Sequence, residues 1–150
     1  MPHGLGLSNY PFFIPAGAPD TMAQAMGTII PSTQTPANDS EAKEGLAWSV
    51  IGHMHLIGKS VRVDVLRSDG SKTCLLDIPQ WNFHWQGFYR FKDPVPLHAG
   101  DKVPMECHWD NSAANQPEVN GQIRQPIDVR FGEGSTDEMC AGGVMMTDFR

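Results

Sequence analysis

The sequence predicts a single all-β domain, an antiparallel β-sandwich of the jelly-roll kind. Several short stretches alternate apolar and polar residues with the period of two that a half-buried strand requires. Turn-forming residues recur between these stretches, and the 15 glycines and 12 prolines are too many for a helical protein. No segment has the spacing of an amphipathic helix. Together these features favour two sheets packed face to face.

The N-terminal part of the chain offers the weakest pattern. Residues 10–14 are apolar and end at the turn signal Pro15-Ala16-Gly17. Residues 31–45 are rich in Pro, Ser, Thr and Asn. This composition predicts a mobile loop rather than a strand.

The central part predicts a strand and a hairpin. Residues 46–57 form an apolar stretch that contains two histidines. Val61, Val63 and Val65 alternate with two charged residues, as expected of a strand with one buried face. The segment 68–71, Ser-Asp-Gly-Ser, is a hairpin turn signal, so residues 74–78 should return antiparallel.

The later strands follow a cluster of aromatic residues at 81–91. Residues 103–109 alternate so that Cys107 faces the interior, and Pro104 within them suggests an edge strand. Residues 110–126 are polar and predict a loop. Residues 129–131 and 142–146 are the candidate closing strands.

Composition excludes some classes of partner. The 150 residues are enough for one domain with a real core. A net charge of −6 argues against binding to a nucleic-acid backbone or an anionic membrane surface. No apolar run approaches the roughly 20 residues of a membrane span, and residues 1–4 show no secretory signal pattern. Three cysteines permit at most one internal disulfide and do not settle the compartment.

His53 and His55 are the first candidate metal ligands. Residues i and i+2 of a strand share a face, with backbones about 7 Å apart, so two such imidazoles can converge on one ion. Imidazole binds copper, zinc, iron and nickel. Two ordinary histidines remain the alternative. The other histidines, at positions 3, 84, 98 and 108, have no distinctive spacing for a third ligand.

Four segments taken together resemble a known family. They are Gly52–Lys59 with its His-x-His, Asn82–Gln86, Cys107–Ser112, and Gly134–Cys140 with its Thr-Asp-Glu-Met-Cys. In this order they resemble the C-terminal domain of the copper type II, ascorbate-dependent monooxygenases, over roughly residues 10–148. The Trp-Gln and Asp-Asn-Ser elements look closer to bacterial relatives than to the animal hydroxylases.

The resemblance implies an oxidoreductase domain with one copper ion. It implies the metal ligands His53, His55 and Met139, and a disulfide between Cys107 and Cys140. It further implies dioxygen and an ascorbate-type reductant as co-substrates, an unknown small organic or peptide substrate, and a secreted or periplasmic protein. Cys74 is left over, and we expect it to be buried or partly buried.

The sequence also departs from the family pattern. The family uses a second copper on a separate three-histidine domain, which this sequence does not contain. Side chains that grip a peptide carboxylate in the peptide-hydroxylating members are replaced here by Ile51, Ala141 and Gly143. A C-terminal glycine-extended peptide is therefore not the expected substrate.

Three functions stay open. The domain is the catalytic half of a monooxygenase that needs a second copper domain, a copper-binding module without turnover, or a β-sandwich recognition module. The recognition module would use the aromatic side chains of Trp81, Trp85, Tyr89 and Trp109, although core packing is the expectation for most of them. A zinc site built on the same histidines leaves Met139 unexplained.

Overall fold

Alternating buried and exposed residues build two sheets that pack face to face. The computed structural model describes residues 1–149. Its strands, in chain order, are β1 (Pro2–Asn9), β2 (Phe13–Ile14), β3 (Thr21–Ile30), β4 (Glu41–Lys43), β5 (Gly45–His53), β6 (Gly58–Leu66), β7 (Lys72–Ile78), β8 (Tyr89–Leu97), β9 (Lys102–Trp109), β10 (Glu118–Val119), β11 (Gln122–Ile123), β12 (Val129–Arg130) and β13 (Cys140–Asp148). Within this part of the chain, the only helical segment is one 3-10 turn, Ala113–Asn115.

The two main sheets have four and five strands. Their orders are β1-β13-β5-β8 and β4-β3-β9-β6-β7. Every pairing is antiparallel except that of β3 with β4. Two short ribbons, β10-β11 and β12-β2, lie outside the main sheets. The predicted all-β, mostly antiparallel sandwich is confirmed.

The core lies between the sheets and takes side chains from both. Leu5, Val50 and Val144 come from the four-stranded sheet, and Val63 and Met105 from the five-stranded one. Each is at most 1% exposed. This interdigitation of two apolar faces is the main stabilising feature of a sandwich.

A crossover between the sheets positions the two candidate histidines. β5 belongs to the four-stranded sheet and β6 to the five-stranded one, so residues 54–57 pass from one layer to the other. Met54 and Ile57 anchor this crossover, because both are buried in the core. His53 therefore ends a strand, whereas His55 lies beyond it.

The predicted hairpin of β6 and β7 is confirmed. All three valines of β6 are buried, and β6 pairs antiparallel with β7 across the predicted turn. Gly70 in that turn has φ +84°, a backbone conformation that suits glycine. The expectation for Cys74 is wrong, because it points to solvent from β7, the edge strand.

The edge position predicted from Pro104 is also wrong. β9 lies in the middle of the five-stranded sheet, between β3 and β6. Its ladder with β6 passes from the pair Val63–Met105 to the pair Leu66–Lys102 and skips the residues between. No strand pair with β6 includes Pro104, as expected of a residue without an N–H, and Pro104 lies opposite Met26 in the ladder with β3.

Sequence patterns missed two long strands, β1 and β3. In the first seven residues of β3 the buried positions carry small residues, Ala23, Ala25 and Gly27, so this part of the strand lacks a strong apolar signal. A Cβ on Gly27 would come within 2.7 Å of Leu5 on β1, which explains the small residue. The predicted loop 31–45 is shorter than expected, since Glu41–Lys43 pairs with the end of β3.

Candidate functional site

The two histidine rings lie next to each other at the end of β5. Their centroids are 5.0 Å apart and their planes form an angle of 75°. His55 is 4% exposed, and His53 is half-buried. The expected placement on one strand applies to His53 alone, because β5 ends there and His55 belongs to the crossover. Two imidazoles at this separation can direct nitrogen atoms toward one point.

Each ring is held through its Nδ1 atom. His53 Nδ1 lies 2.6 Å from Gln86 Oε1, and His55 Nδ1 lies 3.1 Å from the carbonyl oxygen of Asp137. Because both partners are oxygen acceptors, a neutral ring donates from Nδ1 and keeps the Nε2 lone pair free. A hydrogen bond of this kind from the second ring nitrogen is typical of metal-binding histidines.

The segment 81–86 covers the histidine pair from one side. Gln86 is itself oriented, because its amide nitrogen donates to the carbonyl of Phe83 at 2.6 Å. The Phe83 ring meets His55 edge-on, with centroids 5.9 Å apart. Trp81 donates from its indole N–H to the carbonyl of His55 at 3.0 Å. Gln86 was not predicted as a site residue, and only its place in the Trp-Gln element pointed to it.

Glu138 ties the histidine crossover to the segment that precedes β13. Its fully buried carboxylate accepts the backbone N–H groups of His55 and Ile57 at 2.7 and 2.8 Å, and the indole N–H of Trp109 at 2.8 Å. Burial raises the pKa of Glu138 to about 7, against the hydrogen bonds, which lower it. This positioning role was missed, because a sequence does not show which carboxylate becomes buried.

Met139 follows Glu138 in the segment that contacts His55. In this segment the carbonyl oxygen of Asp137 lies 3.1 Å from His55 Nδ1, and the Glu138 carboxylate accepts the backbone N–H of His55 at 2.7 Å, so position 139 lies close to His55 in the fold. Met139 is half-buried. All three predicted ligands thus come from segments that meet at one end of the four-stranded sheet.

The disulfide implied by the resemblance is present. Cys107 on β9 and Cys140 at the start of β13 are bonded, with Cα atoms 5.8 Å apart. The bond crosses the core from the five-stranded to the four-stranded sheet. It fixes the backbone beside Met139 and, in the chain-entropy model, removes on the order of 3–4 kcal/mol of freedom from the unfolded chain.

In residues 1–149, no other histidine joins this pair in a metal-binding cluster. His84 and His98 are exposed, and their rings pack on Phe83 and Phe149 respectively. His108 lies on the outer face of the other sheet, between Asp20 and Glu106. Among residues 1–149, no group of three or more His, Cys, Asp or Glu side chains has metal-binding geometry. A site here has two imidazoles and needs its third donor from another residue type.

The donor chemistry fits copper. Two neutral imidazoles suit both oxidation states, and a thioether is a soft ligand that favours Cu(I). A structural zinc site would normally have four donors from Cys, His or carboxylates. The residues that meet at this end of the sheet therefore suit copper better than zinc.

Comparisons with known proteins agree with these features. Residues 40–146 match the family described as copper type II ascorbate-dependent monooxygenase, C-terminal domain. The chain is 24% identical over 100 residues to DBH-like monooxygenase protein 1 of Gallus gallus. That stretch is 66% of this chain but only 16% of the relative's length. In the described residues, no helix has the length and apolar character to span a membrane.

Proposed function

This chain belongs to the family of copper type II ascorbate-dependent monooxygenase C-terminal domains, and from that premise we propose that it binds one copper ion through His53, His55 and Met139. The observation that carries the proposal is the pair of Nδ1 hydrogen bonds to Gln86 and Asp137. They fix the tautomer of each imidazole and leave two Nε2 donors on adjacent rings.

The neighbouring residues act by holding these donors in place. Gln86 orients His53, and the Asp137 carbonyl orients His55. The Glu138 carboxylate holds the His55 backbone and directly precedes Met139, so it sets the spacing between the two ligand segments. Preorganised donors lower the cost of ordering the site when the metal binds.

We propose that the copper, when bound, supplies dioxygen activation for the hydroxylation of a C–H bond with an ascorbate-type reductant. Phe83 and Trp81 restrict water beside His55, since both pack against it. Turnover would need a second copper domain as the electron relay. The matched stretch is a small part of the chicken relative, which leaves room in that protein for further domains.

A glycine-extended peptide is not the proposed substrate. Ile51 pairs with Gly143, and Ala141 pairs with His53, so the three positions lie together beside the candidate ligands. None has a side chain that could bind a carboxylate. We expect the chain to bind Cu(I) yet show no hydroxylation of peptidylglycine substrates by itself.

The proposed location is a secreted or periplasmic compartment. The Cys107–Cys140 disulfide motivates it, because such bonds seldom persist in the reducing cytosol.

Copper stoichiometry tests the site. Elemental analysis of the purified chain should find one copper per chain, and the double variant His53→Ala/His55→Ala should retain none. The matched control is His98→Ala/His108→Ala, which removes two histidines outside the site and should keep full copper. Equal copper in the wild type and the His53/His55 variant would refute the ligand assignment.

A further inference from the structure

A trough crosses the outer face of the four-stranded sheet, on the side away from the core. Its volume is about 300 Å³, at the lower end of small-molecule sites. Ile51, Phe88 and Met145 form its walls, and the last two are 63% and 45% exposed. Large apolar side chains that line a concavity and stay in water are candidates for contact with a ligand.

The trough lies on the same face of β5 as His53, one of the proposed copper ligands. Burial alternates along the end of β5: Val50 and Gly52 are buried, whereas Ile51 and His53 are half-buried. Ile51 and His53 therefore share the outer face of the strand. Two residues along a strand correspond to about 7 Å. On the next strand, Gly143 lies opposite Ile51 and Ala141 lies opposite His53. One end of the trough, at Ile51 and Gly143, is thus two residues along the strands from His53 and Ala141.

Backbone forms the bed of the trough. Gly4, Gly6 and Gly143 line it, and Gly6 pairs with Gly143 in the sheet. A Cβ on Gly143 would meet the carbonyl oxygen of Leu5 at 3.1 Å, and one on Gly6 would meet that of Asp39 at 2.9 Å. Side chains at these positions would therefore both crowd the backbone and fill the space between the apolar walls.

The charge of the lining selects against anions. Among the described lining residues, Asp39 is the one charged side chain, and no Lys, Arg or His is present. A carboxylate in this trough would lose hydration beside apolar walls without a cationic partner, and it would meet a like charge at Asp39. A neutral, apolar molecule meets neither cost and buries apolar area.

We propose that this trough holds the substrate of the copper site, and that the substrate is a small, neutral and largely apolar organic molecule. The inference rests on the proposed function for its connection to chemistry, but binding in the trough can be measured without metal.

Two probes with the same skeleton test the charge preference, namely 4-phenylbutan-1-ol and 4-phenylbutanoate. Titrations of the metal-free chain followed by NMR should show the alcohol shifting the backbone amide signals of Gly4, Gly6 and Gly143. The alcohol should bind at least about tenfold more tightly than the carboxylate. Tighter binding of the carboxylate, or shifts that avoid these glycines, would overturn the proposal.

Variants give the matched comparison. Met145→Glu places a charge on the trough wall and should weaken binding of the alcohol about tenfold. Met26→Glu is the control, because Met26 is 43% exposed on the other sheet and its change should leave binding within about twofold. Ile51→Arg should reverse the preference toward the carboxylate. Equal binding by Met145→Glu and wild type would refute the trough.

Copper loading separates this proposal from the proposed function. With Cu(II) bound, the phenyl proton signals of the alcohol should broaden through the unpaired electron, whereas diamagnetic Cu(I) should leave them sharp. Copper binding with no binding of either probe in the trough would overturn the trough alone. Trough binding in a chain that takes up no copper would overturn the proposed function and, with it, the role of the trough as a substrate site.

Discussion

The candidate copper site and the outer face of the five-stranded sheet both contain well-held histidines, and the two regions differ in what holds them. His53 and His55 each face a neutral oxygen at Nδ1 only, from an amide and a peptide carbonyl. His108 faces carboxylates at both ring nitrogens, Asp20 at 2.9 Å and Glu106 at 2.9 Å. When both ring nitrogens are hydrogen-bonded to protein groups, neither is available to bind a metal. When only Nδ1 is hydrogen-bonded, Nε2 remains available as a metal ligand.

The two regions also differ in how deeply their carboxylates are buried. Glu138 is fully buried, and the backbone of the histidine crossover is among its partners. The Glu106 side chain is 43% exposed, and it forms an ion pair with His108 at the surface. A buried carboxylate that satisfies several donors determines local structure, while an exposed ion pair contributes little. Removing the Glu138 side chain should therefore destabilise the fold more than removing that of Glu106.

The largest expected effect is on stability at Glu138. Glu138→Ala removes the acceptor of three closely bonded N–H groups, and each buried donor without a partner costs about 1–3 kcal/mol. We expect a loss of roughly 3–6 kcal/mol in the free energy of unfolding, against less than about 1 kcal/mol for Glu106→Ala. Urea denaturation followed by tryptophan fluorescence measures both.

Glu138→Gln provides a milder test at the same position. It keeps one carbonyl acceptor and the side-chain shape, so it should fold with a smaller loss than Glu138→Ala. If both Glu138 variants were as stable as Glu106→Ala, the carboxylate would not anchor the crossover.

The next effect concerns the oxidation states of copper. Met139→Ala should weaken Cu(I) binding on the order of 100-fold and Cu(II) binding much less, because thioether sulfur is a soft ligand. His55→Ala should weaken both states. Competition with chromogenic chelators, run separately on each oxidation state, measures these affinities. Unchanged Cu(I) affinity in Met139→Ala would make the methionine a packing residue only.

A smaller effect is expected at Gln86. Gln86→Ala frees Nδ1 of His53 and should weaken copper binding about tenfold, since orienting partners of metal-bound histidines contribute 10- to 100-fold. Gln24→Ala is the control, because Gln24 is exposed on the other sheet. The same chelator competition applies. Equal affinity in the two variants would show that the amide does not orient the ring.

The smallest effect is the pH dependence of the surface pair. Burial lowers the pKa of His108, but hydrogen bonds to Glu106 and Asp20 outweigh it and leave the pKa raised. A raised folded-state pKa contributes stability that is present below the unfolded value of about 6.5 and is lost as pH rises through the folded value. We expect less than about 1 kcal/mol across this window.

Stability measured against pH for wild type and His108→Gln checks this contribution. The difference between the two should narrow as pH rises above neutrality. A difference that stays constant would show that the proton on His108 contributes nothing to folding.

Much of the framework follows from local sequence. The alternation of Val61, Val63 and Val65 fixes which face of β6 is buried, and Gly70 fixes the turn to β7, because period and turn chemistry are properties of neighbouring residues. The inward position of Cys107 follows from the same alternation. The identities of His53, His55 and Met139 as candidates come from their motifs, and the copper site remains a proposal.

Tertiary structure decided the rest, because those features depend on residues far apart in the chain. The small residue at Gly27 of β3 is explained by the approach of Leu5 on β1. The central place of Pro104 in the five-stranded sheet follows from strand order and not from its own sequence signal. Glu138 becomes an anchor because the crossover and β9 bring three donors around one carboxylate. Gln86 and Asp137 select the free nitrogen of each histidine by hydrogen bonds that span 33 and 82 positions. No local pattern encodes such contacts, since they exist only once the two sheets have packed.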